Sequence, residues 1–192
     1  PVGVGPVVRR AAPRGCDAQQ EREGQGRGQG STTGGSDHGQ RSSAGLVRSV
    51  RGSLGTIAAA CRRAGRAKDD VRLLPVSKTK PAASLRLAHA AGCRMLGDNK
   101  PQEAYRKWEA LQDLTDLHWS VIGHLQTNKA KLVARFAHEF QALDSLRVAV
   151  ALERHLQAEG RSLDVFVQVN TSGEASKYGL PPEDVPTFIQ AL

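Results

Sequence analysis

The sequence is poor in aromatic residues and cysteine, and it has no long apolar run. Aromatics make up 4% of its 192 residues, so a core must be built from Leu, Val and Ala, which favours a helix-rich α/β protein over an all-β one. Its three cysteines, Cys16, Cys61 and Cys93, lack the paired spacing of a disulfide framework or a zinc site. No apolar stretch approaches the roughly 20 residues of a membrane span. We therefore expect a cytoplasmic protein without a metal site or a membrane partner.

The chain is basic, but its basic residues are not gathered into one stripe. The formal net charge is +8 with a pI near 9.9, so nucleic acid has to be considered as a partner. Residues 1–52 hold eight Arg and four acidic residues, and elsewhere the basic residues are interspersed with Asp and Glu. We therefore expect no nucleic-acid partner, with RNA binding by the basic N-terminal tail as an open alternative.

Residues 1–45 differ in composition from the rest of the chain. Eleven of the 20 glycines lie there, and the segment has too few apolar residues to offset the entropy of ordering. It also lacks the interleaved aromatics that stack on bases. We predict a disordered Gly/Arg/Ser-rich extension over residues 1–45 and one domain over residues 46–192.

From Leu46 onward, apolar periodicity alternates between helix and strand. Short apolar runs of strand length alternate with helical segments, and the runs are VRLLPVSKTK, CRMLGDN, HWSVIG, EFQALD and LDVFVQVN. This alternation predicts βαβ units and a parallel sheet. Without a Gly-rich phosphate fingerprint, it favours a TIM-type (β/α) barrel over a Rossmann sheet. Such a barrel has eight units and about five are present, so we expect the sequence to be cut short.

Polar side chains follow each of these strands, where barrel proteins place their functional groups. The positions are Ser77-Lys78-Thr79-Lys80, Gly97-Asp98-Asn99, Gly123-His124, Asp144 and Asn170-Thr171-Ser172. Lys78 leaves an apolar strand directly, so partial desolvation of its ammonium would favour the neutral amine that attacks carbonyl groups. The plain alternative is a solvated charge or an ion-pair partner.

Four separated motifs occur in one order, LLPVSKTKP, GDNKPQE, HWSVIGHLQTNK and NTSGEASKYGL. Together they resemble the pyridoxal phosphate homeostasis (YggS/PROSC) family, whose members have the fold of the alanine racemase N-terminal domain. The resemblance implies a Schiff base between Lys78 and pyridoxal 5′-phosphate (PLP), with Asn99 beside the cofactor. Lys177 matches a second lysine near the barrel mouth, and His124 lies in the segment after the third strand.

Several matched residues have simpler interpretations. Asn99 could be only a helix N-cap, His124 could satisfy local backbone groups, and Lys177 could be a surface charge. Asp98 replaces the usual Glu of the family, and Lys100 replaces an aromatic residue or Arg. In the family, the loop that grips the cofactor phosphate lies beyond the fifth strand, outside this sequence.

The resemblance implies a PLP carrier or buffer in PLP homeostasis, with apo PLP-dependent enzymes as acceptors and no substrate turnover. We expect the protein to be a monomer. We find no acid/base set for catalysis, so no catalytic residue is assigned, and Lys78 and Asn99 are the predicted cofactor-binding residues. A PLP-dependent racemase, or another barrel enzyme with an imine-forming lysine, is the enzymatic alternative. A further alternative is that the chain is a fragment with no function of its own, and that unpaired strand edges make it poorly soluble.

Overall fold

The computed structural model describes residues 8–10 and 37–192, with side chains from residue 44 onward. These residues form two compact units, one of residues 37–72 and one of residues 8–10 with 73–192. Within this described part, no helix is both long and apolar enough to cross a membrane.

The smaller unit consists of a long helix and a short turn. Helix α1 spans Asp37–Arg63, and a 3-10 turn spans Lys68–Asp70. Val50 and Cys61 of this helix are buried. The helix begins at Asp37 rather than near Leu46, so the segment predicted to be disordered contains its first turns; most of residues 1–45 lies outside the described residues.

The larger unit is a parallel five-stranded sheet with helices between successive strands. Its strands are β1 (Val8–Arg10), β2 (Met95–Asp98), β3 (His118–Val121), β4 (Glu139–Leu143) and β5 (Leu163–Val167), in the order β1-β5-β4-β3-β2. Its helices are α2 (Ala82–Ala90), α3 (Pro101–Glu109), α4 (Ala130–Phe136), α5 (Leu146–Glu159) and α6 (Val185–Ala191). The predicted α/β class with a parallel sheet is confirmed.

Both edges of the sheet differ from the prediction. The run VRLLPVSKTK forms no full strand, and only Val76 bridges to Gly97. Pro75 has no N–H to donate, although its carbonyl accepts from Gly97 at 2.9 Å and the Ser77 N–H donates to Gly97 O at 2.7 Å. At the other edge, residues 8–10 pair with β5 although they were predicted to be disordered, because an open edge offers unpaired backbone groups.

The core lies between the sheet and its helices and uses few aromatic residues. Phe136 of α4 is in ring contact with Tyr105 and Trp108 of α3 and with Trp119 of β3. Aliphatic residues such as Leu152, which is fully buried, fill the remainder. Each such side chain stabilises the fold by about 1.5–3 kcal/mol, so this core holds the strand ends in place.

Two histidines stack at the amino-terminal edge of the sheet. The rings of His118 and His138 lie 4.3 Å apart and nearly parallel, and the Trp119 N–H donates to His138 Nδ1 at 3.2 Å. Burial, with further contributions from His118 and Arg161, lowers the pKa of His138 to about 4. A neutral ring with Nδ1 free to accept is therefore the form built into the fold.

We expect His138→Asn to flatten the acid dependence of stability. The unfolded chain binds a proton at His138 near pH 6.5, whereas the folded chain binds it only near pH 4, so this residue makes stability rise with pH across that window. After allowance for partial solvent exposure, the contribution is about 2 kcal/mol. Asn can still accept from Trp119 but does not titrate. Urea unfolding at several pH values checks this; equal pH slopes for both proteins would contradict it.

Candidate functional site

The carboxyl edge of the sheet gathers the polar residues that follow the strands. Strands β2 to β5 are parallel and adjacent, so Asn99, His124, Asp144 and Asn170 all lie at this edge. The first two loops approach each other closely, since a Cβ atom at Gly123 would lie 2.5 Å from the Asn99 carbonyl oxygen. Only glycine fits at position 123 without a shift of the backbone.

Lys78 stands at this edge in a tight turn. The Lys80 N–H donates to Ser77 O at 3.0 Å, and Thr79, the third residue of the turn, has φ 63°. The Lys78 side chain is exposed, so the expected desolvation of its ammonium is not found. Within the described residues, no hydrogen bond or ion pair engages its Nζ, which leaves the amine accessible.

A second lysine, Lys107 of α3, lies buried behind this turn. Its Nζ donates to Ser77 O at 2.6 Å, to Asp98 Oδ2 at 2.8 Å and to Glu103 Oε1 at 2.6 Å. The same Asp98 oxygen accepts from the Ser77 hydroxyl at 2.9 Å. All three ammonium hydrogens therefore have partners, as a buried charge requires. Lys107 was not among the predicted site residues; its i,i+4 spacing from Glu103 was the one visible signal.

Glu103 extends this network to the peptide group that follows Lys78. Its Oε1 also accepts from the Thr79 backbone N–H at 2.8 Å. The hydrogen bond from Lys107, followed by that from Thr79, lowers the pKa of the Glu103 carboxyl. Glu103 therefore stays ionised at neutral pH and ties the turn to α3.

The loop after β2 is organised by Asp98 rather than by Asn99. Asp98 is fully buried, and its Oδ1 accepts from the Lys100 N–H at 3.1 Å. Asn99 is exposed, and the N-cap of α3 is Lys100, without a side-chain cap. The N-cap interpretation of Asn99 is therefore wrong. Asp98, despite being one methylene shorter than Glu, orders this loop.

The strand ends of β3 and β4 bring a histidine and a carboxylate together. His124 Nδ1 lies 3.4 Å from Asp144 Oδ2, and its ring stacks on Tyr178 with centroids 4.2 Å apart. The side chain of His124 therefore contacts Asp144 and Tyr178, whereas the simpler interpretation from the sequence was that it satisfies local backbone groups. Sequence reasoning missed Tyr178, an exposed aromatic residue in a loop.

Asn170 shapes the loop that contains Lys177. The Asn170 Oδ1 accepts from the Gly173 N–H at 3.1 Å, and its Nδ2 donates to Glu174 O at 3.0 Å. Gly179 has φ 121°, and a Cβ atom there would lie 2.7 Å from Asn170 N, so the loop closes tightly on itself. Lys177 is exposed, and its backbone N–H donates to Glu174 O at 3.0 Å, which fits the surface-charge interpretation.

Cysteines and possible metal ligands are further candidate site residues in the described part of the chain. Cys61 and Cys93 are free and buried, and burial raises the pKa of the Cys93 thiol. Among these residues, no group of three His, Cys, Asp or Glu side chains could hold a metal ion.

Comparisons with known proteins match most of the chain. The family model "Alanine racemase, N-terminal domain" matches residues 53–192. The pyridoxal phosphate homeostasis protein of Pseudomonas aeruginosa is 46% identical over 133 residues, which cover 69% of this chain and 57% of that protein. Its namesake from Escherichia coli K12 is 43% identical over 138 residues, or 71% of this chain and 59% of that protein. The chain thus spans somewhat more than half the length of these relatives.

Solved structures are similar over the same region. A protein from Bifidobacterium adolescentis described as unknown has a TM-score of 0.71 at 32% identity, covering 77% of this chain and 64% of its own. PipY of Synechococcus elongatus, solved with PLP bound, has a TM-score of 0.59 at 34% identity, covering 72% of this chain and 65% of its own. The alanine racemase of Streptomyces coelicolor, at 19% identity and a TM-score of 0.56, covers 78% of this chain and 37% of its own and supports the fold alone. The predicted barrel-type fold is confirmed.

Proposed function

This chain belongs to the alanine racemase N-terminal domain family, and from that premise we propose that it captures pyridoxal 5′-phosphate covalently through Lys78. The protein would exchange the captured cofactor with the free PLP pool and with apo enzymes. It would thereby take part in PLP homeostasis and would not turn over a substrate. The relatives named as pyridoxal phosphate homeostasis proteins support this function.

The accessible amine of Lys78 is the observation that carries the proposal. Imine formation needs a neutral, accessible amine at a defined position. Lys78 is exposed and has no partner for Nζ within the described residues, while its turn is held at the carboxyl edge of the sheet. Lys107, in contrast, commits its ammonium to three oxygen atoms.

The residues at this edge fit the aldehyde end of the cofactor. When bound, PLP supplies an aldehyde that passes reversibly from one amine to another. Lys78 would hold that aldehyde, and the exposed Asn99 would lie beside the ring. The close approach of Asn99 and Gly123 keeps the two loops together along the same edge.

A PLP-dependent racemase is the second candidate. The observation that favours it is the pairing of His124 with Asp144, because a carboxylate-backed imidazole can transfer protons. Incubation of PLP-loaded protein with L-alanine, followed by chiral analysis, separates the two functions. We expect no D-alanine; racemisation that His124→Gln abolishes would establish the enzyme instead.

Borohydride reduction followed by peptide mass mapping tests the main proposal. We expect reduction of the PLP-treated chain to leave a pyridoxyl group on the peptide that contains Lys78. Lys177 provides an internal comparison, because it is an exposed lysine in a different loop. A pyridoxyl group found on Lys177 but absent from Lys78 would overturn the assignment.

We further propose a cytoplasmic setting and apo PLP-dependent enzymes as acceptors. The free thiols of Cys61 and Cys93 support a reducing compartment. RNA binding by residues 1–45 falls almost entirely outside the described residues. Deletion of that segment tests it: we expect RNA affinity to be negligible with and without the segment.

A further inference from the structure

We propose that Lys107 is the positioning residue for Lys78: with Asp98 and Glu103, its ammonium fixes both peptide groups that flank Lys78. The inference rests on the proposed function, because it assigns to Lys107 the placement of the amine that captures the aldehyde. Lys107 itself is not the nucleophile, since its Nζ is buried and donates to three acceptors.

Lys107, Asp98 and Glu103 together form a clamp on the peptide groups immediately before and after Lys78. The carbonyl of Ser77, which precedes Lys78, accepts directly from Lys107 Nζ at 2.6 Å. The N–H of Thr79, which follows Lys78, donates at 2.8 Å to the Glu103 oxygen that also accepts from Lys107. Rotation about either side of the Lys78 Cα atom therefore breaks a bond to a charged group.

The backbone conformation of Thr79 shows why such a clamp is needed. Thr79 has φ 63°, which is the left-handed region that β-branched residues rarely occupy. A residue stays in such a conformation only when its surroundings impose it. The Thr79 N–H bond to Glu103 supplies that constraint, and Asp98 anchors the other end of the network.

We expect Lys107→Met in the full chain to weaken PLP capture and loosen the turn. If the turn then holds Lys78 correctly about a tenth of the time, the apparent Kd for PLP rises about tenfold. The absorbance of the PLP adduct measures that Kd, and amide hydrogen exchange at Thr79 measures the turn without PLP. Lys131→Met, which removes an exposed lysine of α4, is the matched control and should leave both values unchanged.

Two further variants keep the test decisive. Glu103→Leu removes the acceptor of the Thr79 N–H and one of the three acceptors of Lys107 Nζ. Because position 103 is partly exposed and Lys107 keeps Asp98 and Ser77, this variant should fold and reproduce the faster exchange. Thr79→Asn, in the Lys107→Met background, should recover part of the affinity because Asn tolerates positive φ.

The outcomes separate this inference from the proposed function. Unchanged Thr79 exchange and unchanged Kd in Lys107→Met and Glu103→Leu would overturn the positioning role. Failure of the wild-type chain to form an adduct on Lys78 would overturn the proposed function. In that case, faster amide exchange at Thr79 in Lys107→Met and Glu103→Leu than in the wild type, measured without PLP, would still support the clamp.

Discussion

Lys78→Arg is expected to abolish covalent capture of PLP while leaving thermal stability unchanged. Arginine keeps the positive charge and a long side chain, but its guanidinium stays protonated and cannot form the imine. Lys78 is exposed and has no side-chain partner among the described residues, so its replacement removes no stabilising contact. Borohydride mapping measures the loss, and a thermal melt monitored by circular dichroism confirms the intact fold.

Lys80→Arg provides the matched control for that experiment. Lys80 lies two residues away in the same turn and is also exposed. Its backbone N–H, which donates to Ser77 O at 3.0 Å, is retained in the variant. The Lys78 adduct should form as in the wild type. An adduct that survives Lys78→Arg but disappears in Lys80→Arg would move the function to Lys80.

Among the variants proposed here for stability, Asp98→Asn is expected to lower the free energy of unfolding the most. Asp98 is fully buried, and its Oδ2 accepts from both Lys107 Nζ and the Ser77 hydroxyl. Asparagine keeps the shape but removes the negative charge, which leaves the buried ammonium short of a counterion. Breaking a buried ion pair costs roughly 3–5 kcal/mol, and because Lys107 keeps its contact to Glu103 we expect a loss of about 3 kcal/mol. Urea unfolding at pH 7 measures it.

Asp113→Asn is the comparison for this effect at the surface. Asp113 also pairs with a cation, Arg86, but both side chains are exposed. Exposed ion pairs contribute little, because water solvates the separated charges almost as well. We expect no detectable change in the free energy of unfolding. Similar losses in the two variants would show that burial of Asp98 does not control the energetics.

The strand-end argument correctly placed polar residues at one edge of the sheet. It placed Lys78, Asn99, His124 and Asp144 at one edge, because parallel strands that alternate with helices must all end on the same side. It did not predict that His124 would pair with Asp144 and stack on Tyr178. Those contacts depend on side-chain directions in loops, for which the sequence has no periodic signal.

The desolvation argument for Lys78 was wrong for a physical reason. An apolar strand implies burial only where neighbouring elements cover it, and here Val76 is itself 45% exposed. Strand formation in this run is also limited by Pro75, which leaves a single bridge to β2. The reactivity expected of Lys78 therefore rests on its access and on its clamped turn.

Local pattern alone determined the α/β class, the succession of helices and strands from β2 onward, and the position of a lysine directly after an apolar run, since these follow from side-chain periodicity over a few residues. Only the tertiary structure decided that Lys107 reaches Ser77, 30 residues away, and Asp98, nine residues away. Packing of α3 against the sheet brings these groups together. Buried charges must then find partners wherever the fold places them.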